Sequence, residues 1–217
     1  MSKGEITKER IIAAAAPVFN RNGFAGTSLS DLMQATGLQK GGIYRHFKSK
    51  EELAVAAFDC AWRVAWEARW GDIDKSANAV DQLRKFVANF IDRRAGRIQG
   101  GCPVLNTAAD AENGNPVLRD HARKALERWL RRIREVVAAG IRNHEIRTDV
   151  DPRAVALLIV STLEGATIVT RLQRSDQPFE QVRRHLDNYL ESLVERDYVR
   201  PSIVSAEASP PTSLQPA

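Results

Sequence analysis

Apolar residues recur at three- and four-residue spacing along almost the whole chain, and alternating runs bounded by turn signals are missing. This pattern predicts an all-α protein of nine helices. The first runs from Thr7 to Arg21 with Thr7 as N-cap, places Ile11, Ala15, Val18 and Phe19 on one face, and stops before Gly23. Pro17 lacks a donor and crowds the carbonyl of Ala13, so a bend or an earlier break is expected there. A short second helix follows Ser28, which with Asp31 has capping-box spacing, and Leu29, Leu32 and Met33 form its inward stripe. After the turn at Gly37, a third helix spans Gln39 to Phe47, and Ser49 with Glu52 opens a long fourth helix to Trp70. Five more follow at Asn78 to Arg97, Pro103 to Glu112, Pro116 to Asn143, Pro152 to Arg174 and Pro178 to Asp197. The four prolines suit first-turn positions, where no intrahelical N–H bond is lost.

Composition then divides the chain. Residues 1–50 hold eight Lys/Arg (Lys3, Lys8, Arg10, Arg21, Lys40, Arg45, Lys48, Lys50) against Glu5, Glu9 and Asp31, so the whole net charge of +5 sits there. A short polyanion-binding module on a neutral body gives this distribution, and so does a merely solvated charged helix. The expected organisation is a DNA-binding unit over 1–50, a body over 51–200, and a Pro/Ser/Ala-rich disordered tail over 201–217. Cys60 and Cys102 form no CxxC or metal-ligand spacing, which fits a reducing, cytoplasmic setting. No uninterrupted apolar run approaches the ~18 residues that span a bilayer, so no membrane association is expected.

The segment Thr27 to Phe47 has the dimensions of a helix-turn-helix. Ile43 and Phe47 can anchor its second helix, while Lys40, Gly41, Tyr44 and Arg45 project outwards with Gly42 and His46 beside them. Cations on a glycine-thinned helix suit close approach to a DNA groove. The ordered series Gly23-Phe24, Thr27-Ser28, Gly37-Leu38, Lys40-Gly41-Gly42-Ile43-Tyr44, His46-Phe47 and Ser49-Lys50-Glu51-Glu52-Leu53 resembles the DNA-binding domain of the TetR family of bacterial transcriptional regulators. The resemblance implies a homodimer on a palindromic operator, repressing transcription until a small molecule binds the larger domain. Thr27, Ser28, Tyr44, His46 and Lys50 match family positions that hold phosphate, and Lys40, Gly41, Gly42 and Arg45 match positions that face bases. Against these roles stand a surface histidine without function at His46 and a packing role for Tyr44.

In the body, Phe58, Trp62, Trp66 and Trp70 follow at intervals of four, and Phe86, Phe90 and Trp129 can join them. Such rings either line an effector cavity, implying a ligand with an apolar or aromatic body, or form plain core. Cys102, just before Pro103, falls at a helix N-cap where the dipole favours a thiolate, with Arg93, Arg94 and Arg97 upstream. The Gly-Cys-Pro element, with Asn106 one turn on, resembles a family branch that senses thiol-reactive electrophiles; a small buried core residue is the alternative. Cys60 is expected in the core. Val155, Leu158, Ile159, Thr162, Gly165, Ala166 and Val169, with Phe179, Val182, Leu186, Tyr189, Leu190 and Leu193, can form a four-helix dimer interface or pack within the subunit. No catalytic set, metal-ligand cluster or phosphate-binding glycine loop is evident, so no cofactor is expected and an enzyme is disfavoured. The remaining competitor is a nonspecific architectural DNA binder.

Overall fold

A computed structural model describes residues 2–92, 99–111 and 114–196. Its described residues form nine α-helices: α1 (Lys3–Gly26), α2 (Leu29–Thr36), α3 (Lys40–Tyr44), α4 (Lys50–Trp70), α5 (Ala79–Ile91), α6 (Pro103–Ala111), α7 (Pro116–Arg142), α8 (Pro152–Gln173) and α9 (Gln177–Ser192). Apart from one isolated antiparallel bridge between Ile146 and Val194, no extended pairing is present among them. The expected tail over 201–217 and the arginines Arg93, Arg94 and Arg97 lie outside the described residues.

The first helix differs from the expectation at both ends. Its N-cap is Ser2, whose hydroxyl accepts from Glu5 N while Glu5 caps Ser2 N, and Thr7 lies inside the helix with its hydroxyl donating to Lys3 O. That reciprocal capping box outcompetes a cap at Thr7 because it satisfies two free donors. Helical dihedrals continue through Pro17, and the only non-helical residue is Gly23 at φ 73°. A side chain at Gly23 is doubly excluded: the left-handed φ disfavours it, and its Cβ would fall 2.5 Å from Asp110 Oδ1.

Local capping explains the next three helices. Ser28 and Asp31 form the expected reciprocal box, and Gly37 ends α2 in the left-handed conformation. The Ser28 hydroxyl, followed by its backbone N–H, holds the Asp31 carboxyl below its usual range. Ser49 caps α4 as expected, although Glu52 reaches past it to the backbone N–H of Lys48. Buried Ile11, Ala15, Phe19, Leu32, Ile43, Phe47 and Leu53 tie α1, α2, α3 and the start of α4 into one unit.

The body is built on α4, which packs against α1, α5, α6 and α7. Around it, α7 packs on α6 and α8, and α9 on α5 and α8. By length and composition α8 is the one described helix apolar enough to cross a membrane, with a window of mean hydropathy 1.6. No uninterrupted apolar run marks it in the sequence, because Ser161, Thr162 and Glu164 interrupt the apolar residues. Its inner face, including Val155, Ile159 and Leu163, is buried in the core.

Candidate functional site

Two places hold unsatisfied chemistry. The first is α3, which is five residues long instead of the expected nine, with Gln39 as N-cap and Arg45 as C-cap. Successive i to i+3 and i to i+4 bonds, from His46 N to Ile43 O and from Phe47 N to Ile43 O, close its last turn and swing Phe47 inward. Buried Ile43 and Phe47 therefore fix the helix from below. Lys40, Gly41 and Arg45 are exposed, and Gly42, Tyr44 and His46 are half-buried. Neither Lys40 nor Arg45 has an ion-pair partner among the described residues. A Cβ at Gly41 would meet nothing within 4 Å, so the protein's own packing does not demand glycine there. Glycine in a helix costs about 1 kcal/mol relative to alanine, and the thinned surface gains by it only against an outside partner.

The flanking residues divide. Ser28 is exposed at the start of α2, where free N–H groups favour an anion. Lys50 is half-buried, its Nζ 4.5 Å from the Phe24 ring, which steadies the ammonium beside Asp31. Thr27 departs from the expectation: it is 1% exposed and its hydroxyl donates to Gly23 O at 2.6 Å. That side chain braces the kink after α1 and offers nothing to a phosphate.

The second place is the centre of the body. Trp129, fully buried, has Trp62, Phe86 and Phe90 at ring-centre distances of 6.0, 5.9 and 5.6 Å, and Trp66 packs on Trp62 at 5.7 Å. Five of the rings expected around an effector thus converge, packed on one another. Arg69, missed in the sequence, lies among them, its guanidinium 4.5 Å from the ring centres of both Phe90 and Trp129. Cys102 is buried behind them, its carbonyl accepting the first hydrogen bond of α6 from Asn106 N. It is therefore an N-cap as expected, but burial pushes the thiol up to about 11 against the opposing pull of Arg69 and the Leu105 N–H. Desolvation outweighs the helix dipole, so the resting thiol is protonated and shielded. Cys60 is corrected the other way: it is half-exposed in a groove between α1 and α4.

Phe58 and Asn106 leave the aromatic cluster and instead line a cavity of about 20 Å³ between α1, α4 and α6, room for one water. Asn106 donates to Asn20 O (2.9 Å) and Gly100 O (2.7 Å) and accepts from Arg171 Nη1 (3.0 Å). Asn20 in turn donates to Gln99 O and Gly101 O, and Asp110 accepts from Phe24 N at 2.7 Å. Side chains of α6 therefore grip the end of α1 through hydrogen bonds, and Arg171 of α8 holds Asn106 in place. Asn20, Asp110 and Arg171 carried no sequence signal, because lone polar residues at helix ends are usually solvated.

Comparison with known proteins bears directly on this arrangement. The family model for "Bacterial regulatory proteins, tetR family" matches residues 11–57, and that for "Tetracyclin repressor-like, C-terminal domain" matches 79–186. A TetR transcriptional regulator from Chloroflexus aurantiacus is 43% identical, with a TM-score of 0.84 over 89% of this chain and 98% of that one. The chain belongs to the TetR family. It is a ligand-responsive, DNA-binding transcriptional regulator. A TetR-family regulator from Cytophaga hutchinsonii is 32% identical, with the same TM-score and coverage. The HTH-type transcriptional repressor DhaR of a Mycobacterium species is 22% identical over 80% of this chain and 87% of its own length. The two matched segments fall on either side of the α4–α5 junction.

Proposed function

We propose that this TetR-family protein is a repressor whose α3 enters the major groove of a palindromic operator, once per subunit of a homodimer. The observation that carries the reading is the pair of exposed cations, Lys40 and Arg45, which have no carboxylate partner among the described residues and stand on a glycine-thinned helix. Lys40, Gly41, Gly42 and Arg45 face base edges, and Arg45 suits bidentate pairing to guanine. Ser28, Tyr44, His46 and Lys50 hold the phosphates on either side, and Thr27 supports them from within. Residues 1–50 form the DNA-binding unit, residues 51–200 the body, and the protein acts in the cytoplasm.

The dimer reading is supported by α8. Leu157 (61% exposed), Leu158, Ile168, Val169 and Leu172 (80% exposed) leave an apolar stripe outside the subunit. A Cβ at Gly165, on the same side, would meet nothing within 4 Å, whereas Ala166 is turned inward. Most apolar residues of α9, including Phe179, Leu186 and Leu190, are buried in their own subunit, so α8 supplies most of the pairing surface.

Effector binding beside Trp62, Trp66, Phe86, Phe90 and Trp129 shifts α4 and α6, and the Asn106–Asn20 and Asp110–Phe24 bonds carry the shift to α1. The two recognition helices then lose the ~34–36 Å spacing that successive major grooves demand. An electrophile sensor at Cys102 is not favoured, because its thiol is buried and protonated.

Footprinting of the purified protein on the DNA upstream of its own gene tests the reading. A protected, two-fold symmetric site and a dimeric sedimentation mass are expected; uniform protection of all fragments would support the architectural alternative instead.

A further inference from the structure

Three polar groups at the heart of the body are buried without satisfaction. Arg69 is 8% exposed, yet its Nη1 has no hydrogen-bond partner and no carboxylate stands within ion-pairing distance of it among the described residues. Trp129 is fully buried and its indole Nε1 is equally unpartnered. On α8, both carboxylate oxygens of Glu164 are buried, with the Cys102 thiol as their neighbouring donor and no N–H or hydroxyl partner among the described residues. Groups of this kind are rare in native interiors, and each one left open is costly. Trp70 Nε1, Asn78 Nδ2 and Thr170 Oγ1 are open as well, but Arg69, Trp129 and Glu164 adjoin: the guanidinium lies 4.5 Å from the Trp129 ring, and Arg69 and Glu164 feel each other's charge without touching.

The stacking explains what is missing. With Phe90 and Trp129 covering its faces, the guanidinium makes hydrogen bonds only through its edge, in its own plane. The open edge and the indole N–H both donate, and a carboxylate oxygen is the acceptor that matches a planar guanidinium. Burial also raises the Glu164 carboxyl above its ordinary range, with Cys102 and Arg69 opposing, and pushes the Cys102 thiol upward. The local charge is therefore weighted towards the cation.

We infer that Arg69 and Trp129 form the head-group end of the effector site, and that the effector is an organic carboxylate with a flat apolar body. This rests on the effector-responsive reading above. The carboxylate accepts from Arg69 Nη1 and Trp129 Nε1, and the apolar body lies against the rings that pack on Trp129, those of Trp62, Phe86 and Phe90, once they part to admit it. An organic cation would instead be repelled by Arg69 and gain only from Glu164.

Calorimetric titration of the full-length protein with benzoate and phenylacetate, with their methyl esters, and with benzylamine tests this directly. The acids are expected to bind, and the esters and the amine at least about tenfold more weakly, since each loses the charge-assisted bonds. Arg69→Gln should abolish the acid-over-ester preference, and Arg69→Lys should retain part of it. Should the Arg69 variants fail to fold, the acid-to-ester ratio on the unaltered protein decides. Equal binding of acids and esters, tighter binding of the amine, or no binding of any probe would each overturn the inference. If the protein binds its operator normally while the acids fail, the ligand class alone falls. If no sequence-preferring DNA binding exists, the regulatory reading falls, and the acid-to-ester ratio still judges the site.

Discussion

Among the described residues, Arg45 and Arg69 are both arginines without a carboxylate within ion-pairing distance, one exposed at the C-cap of α3 and the other in the centre of the body. The exposed guanidinium is already solvated, so leaving it unpaired costs little and keeps it available to an outside polyanion. The buried one has given up its water and recovers part of the loss from two ring faces. On the proposed reading, the same vacancy means readiness on the surface and a demand for a ligand in the core. It also divides the molecule: the amino-terminal unit holds the exposed unpaired cations, and the body holds the buried donors without acceptors.

The largest expected effect attacks the body's side of this contrast. Trp129→Ala removes the ring on which Trp62, Phe86, Phe90 and Arg69 converge, and should cost about 3–5 kcal/mol in urea unfolding. An unchanged midpoint would show that the body does not depend on this cluster. Next, Arg45→Ala should weaken operator binding about 10- to 100-fold while stability moves by less than about 0.5 kcal/mol. Equal losses on operator and random duplex would strip Arg45 of its base-reading role. Smaller still, Lys50→Ala should weaken both DNAs alike and reduce the slope of log K against log salt by about one.

The gentlest test is pH. Burial raises the Glu164 carboxyl above its ordinary value of 4.5, so the folded protein prefers its acid form. The associated stability is whole below that value and is lost as pH rises through the raised one. Glu164→Gln, which cannot ionise, should therefore melt at or above the wild-type temperature at pH 8, with the difference vanishing near pH 4. A variant that melts lower at pH 8 would mean that the carboxylate is favoured in the fold.

Much of the amino-terminal unit was legible because short-range rules govern it: Ser28 with Asp31, the left-handed Gly37, and the inward pair Ile43 and Phe47. Two features were not. The Gly23 kink and the burial of Thr27 depend on Asp110 and Gly23 O, and the partner Asp110 is 86 residues away from the kinked segment. In the body the periodicity of Trp62, Trp66 and Trp70 gave the helix face, but whether those rings surround space or one another is set by α5 and α7. Glu164 did leave a trace, a charge in an apolar helix, whereas Arg69 beside Ala68 and Trp70 looked like any helix-end cation. Cys102 shows how a local rule fails: its N-cap position was correct, and burial reversed the chemical consequence.

The central claim is that α3 reads duplex DNA. Its most direct test is the affinity of the purified protein for the duplex upstream of its own gene and for a scrambled duplex of equal length, titrated over salt. Both affinities are expected to fall with salt while a preference of about 10³ or more for the native duplex persists. Equal affinity for the two duplexes at every salt concentration would contradict it.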